Sequence, residues 1–190
     1  MLLLTDVTRY DKIKFYSKQV GSEQMKEKRI ILNGLEVVLD MKDYLNYRHE
    51  IQGAYKYWNN KYYVLTKDKK FLHRIIMNVP RGVFVDHING NSLDNRRCNL
   101  RICTNAENQW NTGKKCTSNQ PYKGVRKTKS GKYEARIRCK GKRLHLGTFT
   151  TVEEAVRVYN AKAFELHGEF AYLNSIDDGM TRCEDGNDET

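Results

Sequence analysis

The chain's 190 residues are 39% hydrophobic, which allows one domain of ordinary size or two small ones and argues against a single large core. The formal net charge of +11 favours a polyanionic partner, either nucleic acid or an anionic membrane surface. No apolar run approaches the roughly 20 residues of a membrane-spanning helix, and the N-terminal leucine run is too short for a signal peptide. We therefore expect a soluble, intracellular protein without a membrane partner, whose five cysteines are reduced.

Residues 1–70 predict a β-rich N-terminal module whose role the sequence does not indicate. Residues 1–29 are polar and rich in lysine and glutamate, which predicts a basic arm or a short helix. Residues 30–39 predict two strands around an Asn-Gly turn. The aromatic residues between 55 and 65 also favour strands. We interpret these aromatics as packing groups, the alternative being that they stack on bases.

Residues 71–113 follow a different pattern, in which strand signals alternate with polar turns. One strand is predicted to end at Asp86-His87, just before an Asn-Gly turn that demands a positive φ. A second short strand is predicted over residues 100–103. The spacing of Thr104 from a glutamate three residues later is that of a capping box, so a helix is expected to begin there. The predicted order is strand, loop, strand, helix.

This segment also carries the residue types that phosphodiester hydrolysis needs. A carboxylate stands beside an imidazole at Asp86-His87, and amides follow at Asn95, Asn99 and Asn108. Hydrolysis requires a base for the attacking water and a cation to hold the growing negative charge. The histidine can act as the base, and the carboxylate and amide oxygens can bind the cation. The segment is therefore interpreted as a metal-assisted hydrolytic site, with a purely structural, Asn-rich loop as the alternative.

The segment resembles the active site of HNH endonucleases carried by bacteriophages and mobile introns. Beyond the Asp-His pair and the Asn-Gly turn, the matching pieces are Asp-Asn-Arg-Arg, Asn-Leu-Arg and Glu-Asn, in order within residues 85–111. The resemblance implies a ββα-metal (His-Me finger) nuclease core over residues 71–113. It implies the following roles: general base His87, orienting residue Asn99, and metal ligands Asp86 and Asn108.

The expected metal is Mg²⁺ or Mn²⁺, because a carboxylate and an amide offer hard oxygen donors. Structural zinc is not expected, since Cys98, Cys103 and Cys116 include no Cys-x-x-Cys pair and no fourth ligand is evident. No small-molecule cofactor is expected either.

Basic residues around this segment predict contacts with the DNA backbone. Arg96, Arg97 and Arg101 are expected to steer it through phosphate contacts, which carry no sequence information. His73-Arg74 resembles a pair that precedes the motif in many such proteins. Its interpretation is a structural or phosphate-contact role, not a catalytic one.

A linker is predicted at residues 114–121, followed by a basic domain at residues 122–174. Its first part predicts three short strands separated by glycine turns. Its second part predicts a helix that a capping box at Thr151 begins and Gly168 ends. The apolar residues of this helix keep to one face, at positions 152, 155, 156, 159, 163 and 166. Residues 175–190 have a net charge of −5 and are predicted to form a disordered tail.

The basic domain resembles the DNA-binding domain of plant ethylene-response factors (AP-two type). The matching pieces include Tyr-x-Gly-Val-Arg ending at Arg126, Arg-Ile-Arg ending at Arg138, Leu-Gly-Thr-Phe ending at Phe149, and Tyr159-Asn160. The resemblance implies a three-stranded antiparallel sheet backed by one helix, with the sheet in the major groove. The expected DNA-binding residues are Lys123, Arg126, Arg136, Arg138, Arg143 and His145.

The alternation of side chains along the middle strand agrees with that arrangement. Glu134, Arg136 and Arg138 share one face, and the apolar Tyr133, Ala135 and Ile137 share the other. The chain departs from the family at Ser130 and His145, where tryptophans are common. The plant target sequence is therefore not expected here.

Together these patterns predict an α+β protein that acts as a monomeric, site-specific HNH homing endonuclease on double-stranded DNA in the cytoplasm of its host cell. The nuclease segment would cut, and the C-terminal domain would select the site. Two alternatives stay open: a sequence-specific DNA-binding regulator that has lost cleavage, and an RNA-directed or structure-specific nuclease with little sequence preference.

Overall fold

The computed structural model describes residues 26–57, 60–113, 121–139 and 141–176. They form two compact units, one ending at Gln109 and the other beginning at Trp110. The predictions for residues 1–25, for the linker at 114–120 and for the tail from 177 onward lie outside the described residues. Within the described residues, no helix has both the length and the apolar character to span a membrane.

The first unit consists of three antiparallel hairpins and short helices, each hairpin forming a two-stranded sheet. The elements are β1 (Glu27–Leu32), β2 (Leu35–Asp40), α1 (Met41–Tyr47), β3 (Ile51–Lys56), β4 (Tyr62–Thr66), α2 (Leu72–Ile76), β5 (Phe84–His87), β6 (Leu100–Cys103) and α3 (Asn105–Asn111), whose last two residues belong to the second unit. The predicted Asn-Gly hairpin is confirmed, with Asn33 and Gly34 at φ 52° and 77°. The predicted strand, loop, strand, helix order appears as β5, β6 and α3.

A single buried cluster holds this unit together. It combines residues from the predicted N-terminal module with residues from the predicted nuclease segment: Val37, Leu39, Ala54, Val64, Leu72, Ile76, Val85 and Leu100. An isolated hairpin is at best marginally stable in water, because it has too little apolar surface to bury. The hairpins on both sides of residue 70 therefore share one core.

Strand β2 also holds the loop between β5 and β6. The Val38 N–H donates to the carbonyl of Leu93 at 3.0 Å, and the Asn95 N–H donates to the carbonyl of Val38 at 2.8 Å. Residues 93–95 thus gain backbone partners outside their own segment, which an irregular loop cannot supply for itself.

In the second unit, a three-stranded sheet packs on one long helix, as predicted. Strands β7 (Val125–Lys127), β8 (Tyr133–Cys139) and β9 (Lys142–Phe149) are antiparallel with β8 in the middle, and helix α4 spans Val152–His167. The capping box of Thr151 and Glu154 begins the helix and Gly168 ends it. The buried sheet and helix residues form one core, which includes Ala135, Ile137, Ala155, Val156, Tyr159 and Ala163. The α+β class is confirmed.

Gly124 illustrates how closely the sheet approaches this helix. Its φ is +75°, and a Cβ atom there would overlap the Tyr159 ring and the backbone carbonyl of Arg136. Gly131 has a similar φ of +81° but open space around it. We expect Gly131→Ala to lower the free energy of unfolding by about 1–2 kcal/mol through backbone strain alone. Gly124→Ala should lose a further ~1–3 kcal/mol through overpacking. Urea unfolding of the two variants measures the difference; equal losses would contradict the close approach.

Candidate active site and nucleic-acid interface

Asp86 and His87 are the last two residues of β5, and both are buried. Asp86 lies opposite Arg101 of β6 in the strand register. The Arg101 guanidinium donates to Asp86 Oδ2 from Nη2 at 2.6 Å and from Nε at 3.0 Å. With side-chain exposures of 9% and 7%, this is a buried ion pair. Arg101 therefore holds the predicted metal ligand in place, a role that differs from the predicted phosphate contact.

The His87 ring lies in a group of aromatic side chains. Its centroid is 4.9 Å from that of His73, in an edge-on arrangement, and 6.4 Å from that of Tyr63. His73 also contacts Phe71, at 5.5 Å between centroids. The His73 ring therefore packs against the ring of the predicted general base, a contact that is consistent with a structural role for His73.

Burial lowers the pKa of His87 to about 4, helped by the charge of Lys61 and opposed by hydrogen bonding with the Asn95 side chain. Burial also lowers the pKa of His73 to about 3, with smaller contributions from His87 and Arg74. Both imidazoles are therefore neutral at pH 7. A neutral imidazole is the form that can accept a proton from water.

Asn99 is connected to the backbone that follows His87. Its carbonyl accepts the N–H of Ile88 at 2.8 Å, and its Oδ1 accepts the N–H of Asn89 at 2.9 Å. Its Nδ2 donates to the carbonyl of Asp94 at 2.7 Å. Asn99 thus fixes the path of the chain on both sides of the turn, which supports an orienting role exerted through the backbone.

Asn108 lies in the first turn of α3, half-buried, and its N–H donates to the carbonyl of Thr104 at 3.0 Å. The predicted capping box is confirmed, because Glu107 Oε2 accepts the Thr104 N–H at 2.7 Å and Thr104 Oγ1 accepts the Glu107 N–H at 3.2 Å. Burial chiefly raises the Cys103 pKa to about 11, while the Asp86 charge raises it and a backbone hydrogen bond with Asn108 lowers it.

The donor set fits a hard divalent cation better than zinc. It offers one buried carboxylate and one amide oxygen, and Mg²⁺ commonly keeps several waters and binds through one or two carboxylates. No cluster of three or more His, Cys, Asp or Glu side chains that could hold a metal occurs in the described part of the chain. Asp86 and Asn108 stay the predicted ligands of such an ion.

The other two arginines that are predicted to contact the DNA backbone, Arg96 and Arg97, are engaged in ion pairs. Arg96 donates to both oxygens of Asp94, at 2.8 and 2.7 Å, and to Glu27 at 3.0 Å. Arg97 makes a bidentate pair with Asp43, at 2.8 Å for each bond. These pairs join the loop to β1 and α1, a structural role that the sequence did not indicate. Arg96 and Arg97 keep exposures of 33% and 43%.

In the second unit, the sheet face opposite α4 carries the predicted DNA-contacting residues of the strands. Cross-strand pairs on this face are Arg136 with His145 and Arg138 with Arg143, and Arg126 lies opposite Glu134. Arg126, Arg138, Arg143 and His145 are exposed, and Arg136 is half-buried. We call these five residues, with Glu134, the reading face.

Lys123, which is also predicted to bind DNA, lies outside the reading face. Its Nζ donates to the carbonyls of Trp110 and Thr112, at 2.8 and 2.6 Å, and burial lowers its pKa to about 8. The Trp110 ring stacks on His167 with 4.3 Å between centroids. The Lys123 ammonium therefore fastens residues 110–112 to this unit, and we do not count Lys123 in the reading face.

The two buried histidines make the first unit sensitive to acid. An unfolded histidine titrates near pH 6.5, so the unfolded chain binds more protons than the folded one between about pH 6.5 and 4. The free energy of unfolding that depends on these two neutral histidines is therefore fully present above about pH 6.5, and it is lost as the pH drops toward their lowered pKa values. We expect the melting temperature to fall less from about pH 7 to about pH 5 in His73→Phe than in wild type. Calorimetry measures this, with the exposed His49→Ala as a control that follows wild type.

The first unit thus carries a buried acid–histidine pair, and the second unit carries a sheet face lined with arginines. A family model described as HNH endonuclease matches residues 70–110. This protein belongs to the HNH endonuclease family, and its C-terminal region is similar to the plant ethylene-response factors.

Three relatives illustrate both similarities. An uncharacterized HNH endonuclease of Acanthamoeba polyphaga mimivirus is 38% identical over 110 residues, 57% of this chain and 57% of that protein. Protein 3.8 of Escherichia phage T7 is 30% identical over 94 residues, 49% of this chain and 77% of the phage protein. An ethylene-responsive transcription factor of Arabidopsis thaliana is 47% identical over 57 residues, 29% of this chain and 31% of that protein.

The chain spans little more than half the length of the mimivirus relative and under a third of the plant factor. No solved structure matches it significantly.

Proposed function

We propose that this protein is a site-specific HNH endonuclease of the homing type that hydrolyses DNA phosphodiester bonds. One observation carries the proposal: the buried imidazole of His87 directly follows the buried carboxylate of Asp86 at the end of β5, and Asn99 accepts hydrogen bonds from the two backbone N–H groups that come next. The family membership supports the reaction class, and the arrangement of β5, β6 and α3 supports a ββα-metal core.

In this proposal each residue has a distinct task. His87 accepts a proton from the attacking water at a ring nitrogen, and the water oxygen bonds to phosphorus as the bond to the leaving oxygen breaks. Asn99 keeps His87 in position through the backbone of the turn. Asp86, oriented by Arg101, and Asn108 would hold Mg²⁺ or Mn²⁺. Such an ion would stabilise negative charge on the phosphoryl and leaving oxygens.

The test is a nicking assay on pooled supercoiled plasmids that carry a randomised insert. We expect relaxation of the plasmid with Mg²⁺ or Mn²⁺ and none in EDTA, with breaks concentrated at related sequences. A monomer with one such site is expected to nick one strand. Absence of metal-dependent nicking would favour a DNA-binding regulator, and breaks without a common sequence would favour a structure-specific nuclease.

We propose that the reading face selects the site. Phosphate contacts position a protein on DNA but do not specify sequence, so the cutting unit alone has little means of choosing a target. Five cationic or potentially cationic side chains project from one sheet face, where arginine can bond guanine bidentately. The similarity to plant transcription factors supports DNA as the partner.

Two exposed residues of the sheet region should differ in their effects. We expect Arg138→Ala to lower the preference for the selected site over a scrambled duplex by about 1–3 kcal/mol, because it removes a base contact. Lys132→Ala, outside the reading face, should weaken binding to both duplexes alike, because it removes a phosphate contact. Binding titrations with fluorescent duplexes measure both. Equal effects on preference would count against the proposed docking of the sheet.

A further inference from the structure

A carboxylate lies within the basic reading face. Glu134 is on the middle strand, with a side-chain exposure of 13%, against 50% for Arg126 and 56% for His145. If the face only attracted phosphates, a carboxylate there would weaken its binding to DNA. The contacts of Glu134 indicate another purpose.

One carboxylate joins side chains from all three strands. Arg126 of β7 donates from Nε to Glu134 Oε2, and His145 of β9 places Nδ1 3.1 Å from Glu134 Oε1. On β8 itself, Arg136 Nε lies 3.9 Å from Oε2. Glu134 thus sits between the base-reading candidates of both outer strands.

A bulge in the sheet makes this arrangement possible. The register shifts between Ala135, which pairs with Gly147, and Arg136, which pairs with His145. Leu146 is the extra residue, and it packs against the core beneath the sheet. The shift turns His145 to the reading face, where Leu146 would otherwise lie. The bulge therefore places an imidazole within reach of Glu134.

We infer that Glu134 is a specificity-determining positioning residue, which holds the Arg126 guanidinium in the orientation for reading a base while His145 fixes the carboxylate from the other side. The inference rests on the proposed site selection by this sheet. Glu134 contacts Arg126 at Nε, so the two terminal nitrogens of this half-exposed guanidinium can donate to a ligand. A preoriented side chain loses less entropy on binding and discriminates better between base edges.

A positioning role for Glu134 predicts that its removal lowers the preference for the selected site but strengthens binding to unrelated DNA. Without Glu134, Arg126 can swing to phosphates, so the preference for the selected site falls. Binding to unrelated DNA strengthens, because one negative charge leaves the face. A folding defect would instead weaken binding to both kinds of DNA.

The experiment uses the full-length chain in EDTA, so that a bound duplex is not cut. Wild type first selects a sequence from a library of randomised duplexes. Fluorescence anisotropy then gives the ratio of dissociation constants for a scrambled and the selected duplex. The variants are Glu134→Ala, the isosteric Glu134→Gln, Arg126→Ala and the Glu134→Ala/Arg126→Ala double variant. The control is Glu165→Ala, which removes the same charge from an exposed helix position paired with Lys162.

We expect Glu134→Ala to lower the ratio at least about fivefold, with tighter binding to the scrambled duplex. Glu134→Gln keeps an acceptor for Arg126 and should lose less. The double variant should lose no more than Arg126→Ala, because Glu134 acts through Arg126. Glu165→Ala should leave the ratio unchanged.

Three results would overturn the inference. An unchanged ratio in both Glu134 variants would exclude any role in specificity. Fully additive losses in the double variant would show that Glu134 accepts a hydrogen bond from a base itself, as carboxylates do from cytosine. If wild type selected no common sequence, the proposed site selection would fail and the inference with it, whereas the first two results leave that selection intact.

Discussion

His87→Ala is expected to lower the rate of metal-dependent nicking by about 10²–10⁴-fold, the contribution of a well-placed general base. Its ring is buried and neutral, so its removal takes away the proton acceptor without unpairing a charge. Single-turnover cleavage of supercoiled plasmid at saturating protein measures the rate of the chemical step. Residual nicking at an unchanged rate would assign the proton acceptor to another group.

The matched control is His49→Ala. His49 is exposed, and its imidazole Nε2 accepts a hydrogen bond from Arg48. Its removal should leave nicking unchanged. Binding of the selected duplex in EDTA should be the same for both variants, because His87 is proposed to act only in hydrolysis. A parallel loss of binding in His87→Ala would indicate a damaged fold.

Arg101→Ala should strongly destabilise the first unit. It leaves the Asp86 carboxylate buried without its guanidinium, and breaking a buried ion pair on one side costs about 3–5 kcal/mol. Urea unfolding measures the loss. Cleavage should fall as well, because Asp86 loses the group that orients it. A loss below about 1 kcal/mol would mean that solvent reaches Asp86 freely.

Two further variants separate stability from function. Arg29→Ala removes a guanidinium that is 56% exposed and paired with two glutamates, so it should destabilise the protein far less than Arg101→Ala, because solvent screens exposed ion pairs. The double variant Asp86→Leu/Arg101→Met replaces the buried pair with apolar groups and should recover much of the stability. It should not recover cleavage, since Asp86 is the proposed metal ligand.

Local elements of the fold could be predicted because their signals lie within a few residues of one another. The Asn33-Gly34 hairpin and the capping boxes at Thr104 and Thr151 follow from turn and cap chemistry. The strand, loop, strand, helix order around Asp86-His87 follows from the same kind of short-range spacing. The two-residue alternation along β8 correctly assigned arginines to one face and apolar residues to the core.

Contacts between distant parts of the chain could not be predicted in this way. The packing of His73 on His87, the pairing of Arg97 with Asp43 and the binding of Lys123 to residues 110–112 depend on tertiary packing. Hydrophobic periodicity assigns a residue to the interior but does not say which residue it meets there. The positive charge of Arg96, Arg97 and Arg101 predicts contacts with DNA, whereas their ion-pair partners in the structure are carboxylates of the protein itself.

The hydrogen bonds between β2 and the β5–β6 loop imply that the segment that folds together is longer than the segment that the family model matches. Residues 70–110 carry the signature, yet that stretch alone would expose Leu72, Ile76, Val85 and Leu100 and would leave Leu93 and Asn95 without their backbone partners on Val38. A minimal fragment that keeps this core must therefore begin no later than β1. Hydrogen exchange in the β5–β6 loop should then report the opening of the N-terminal hairpin, since the two segments protect each other's amides.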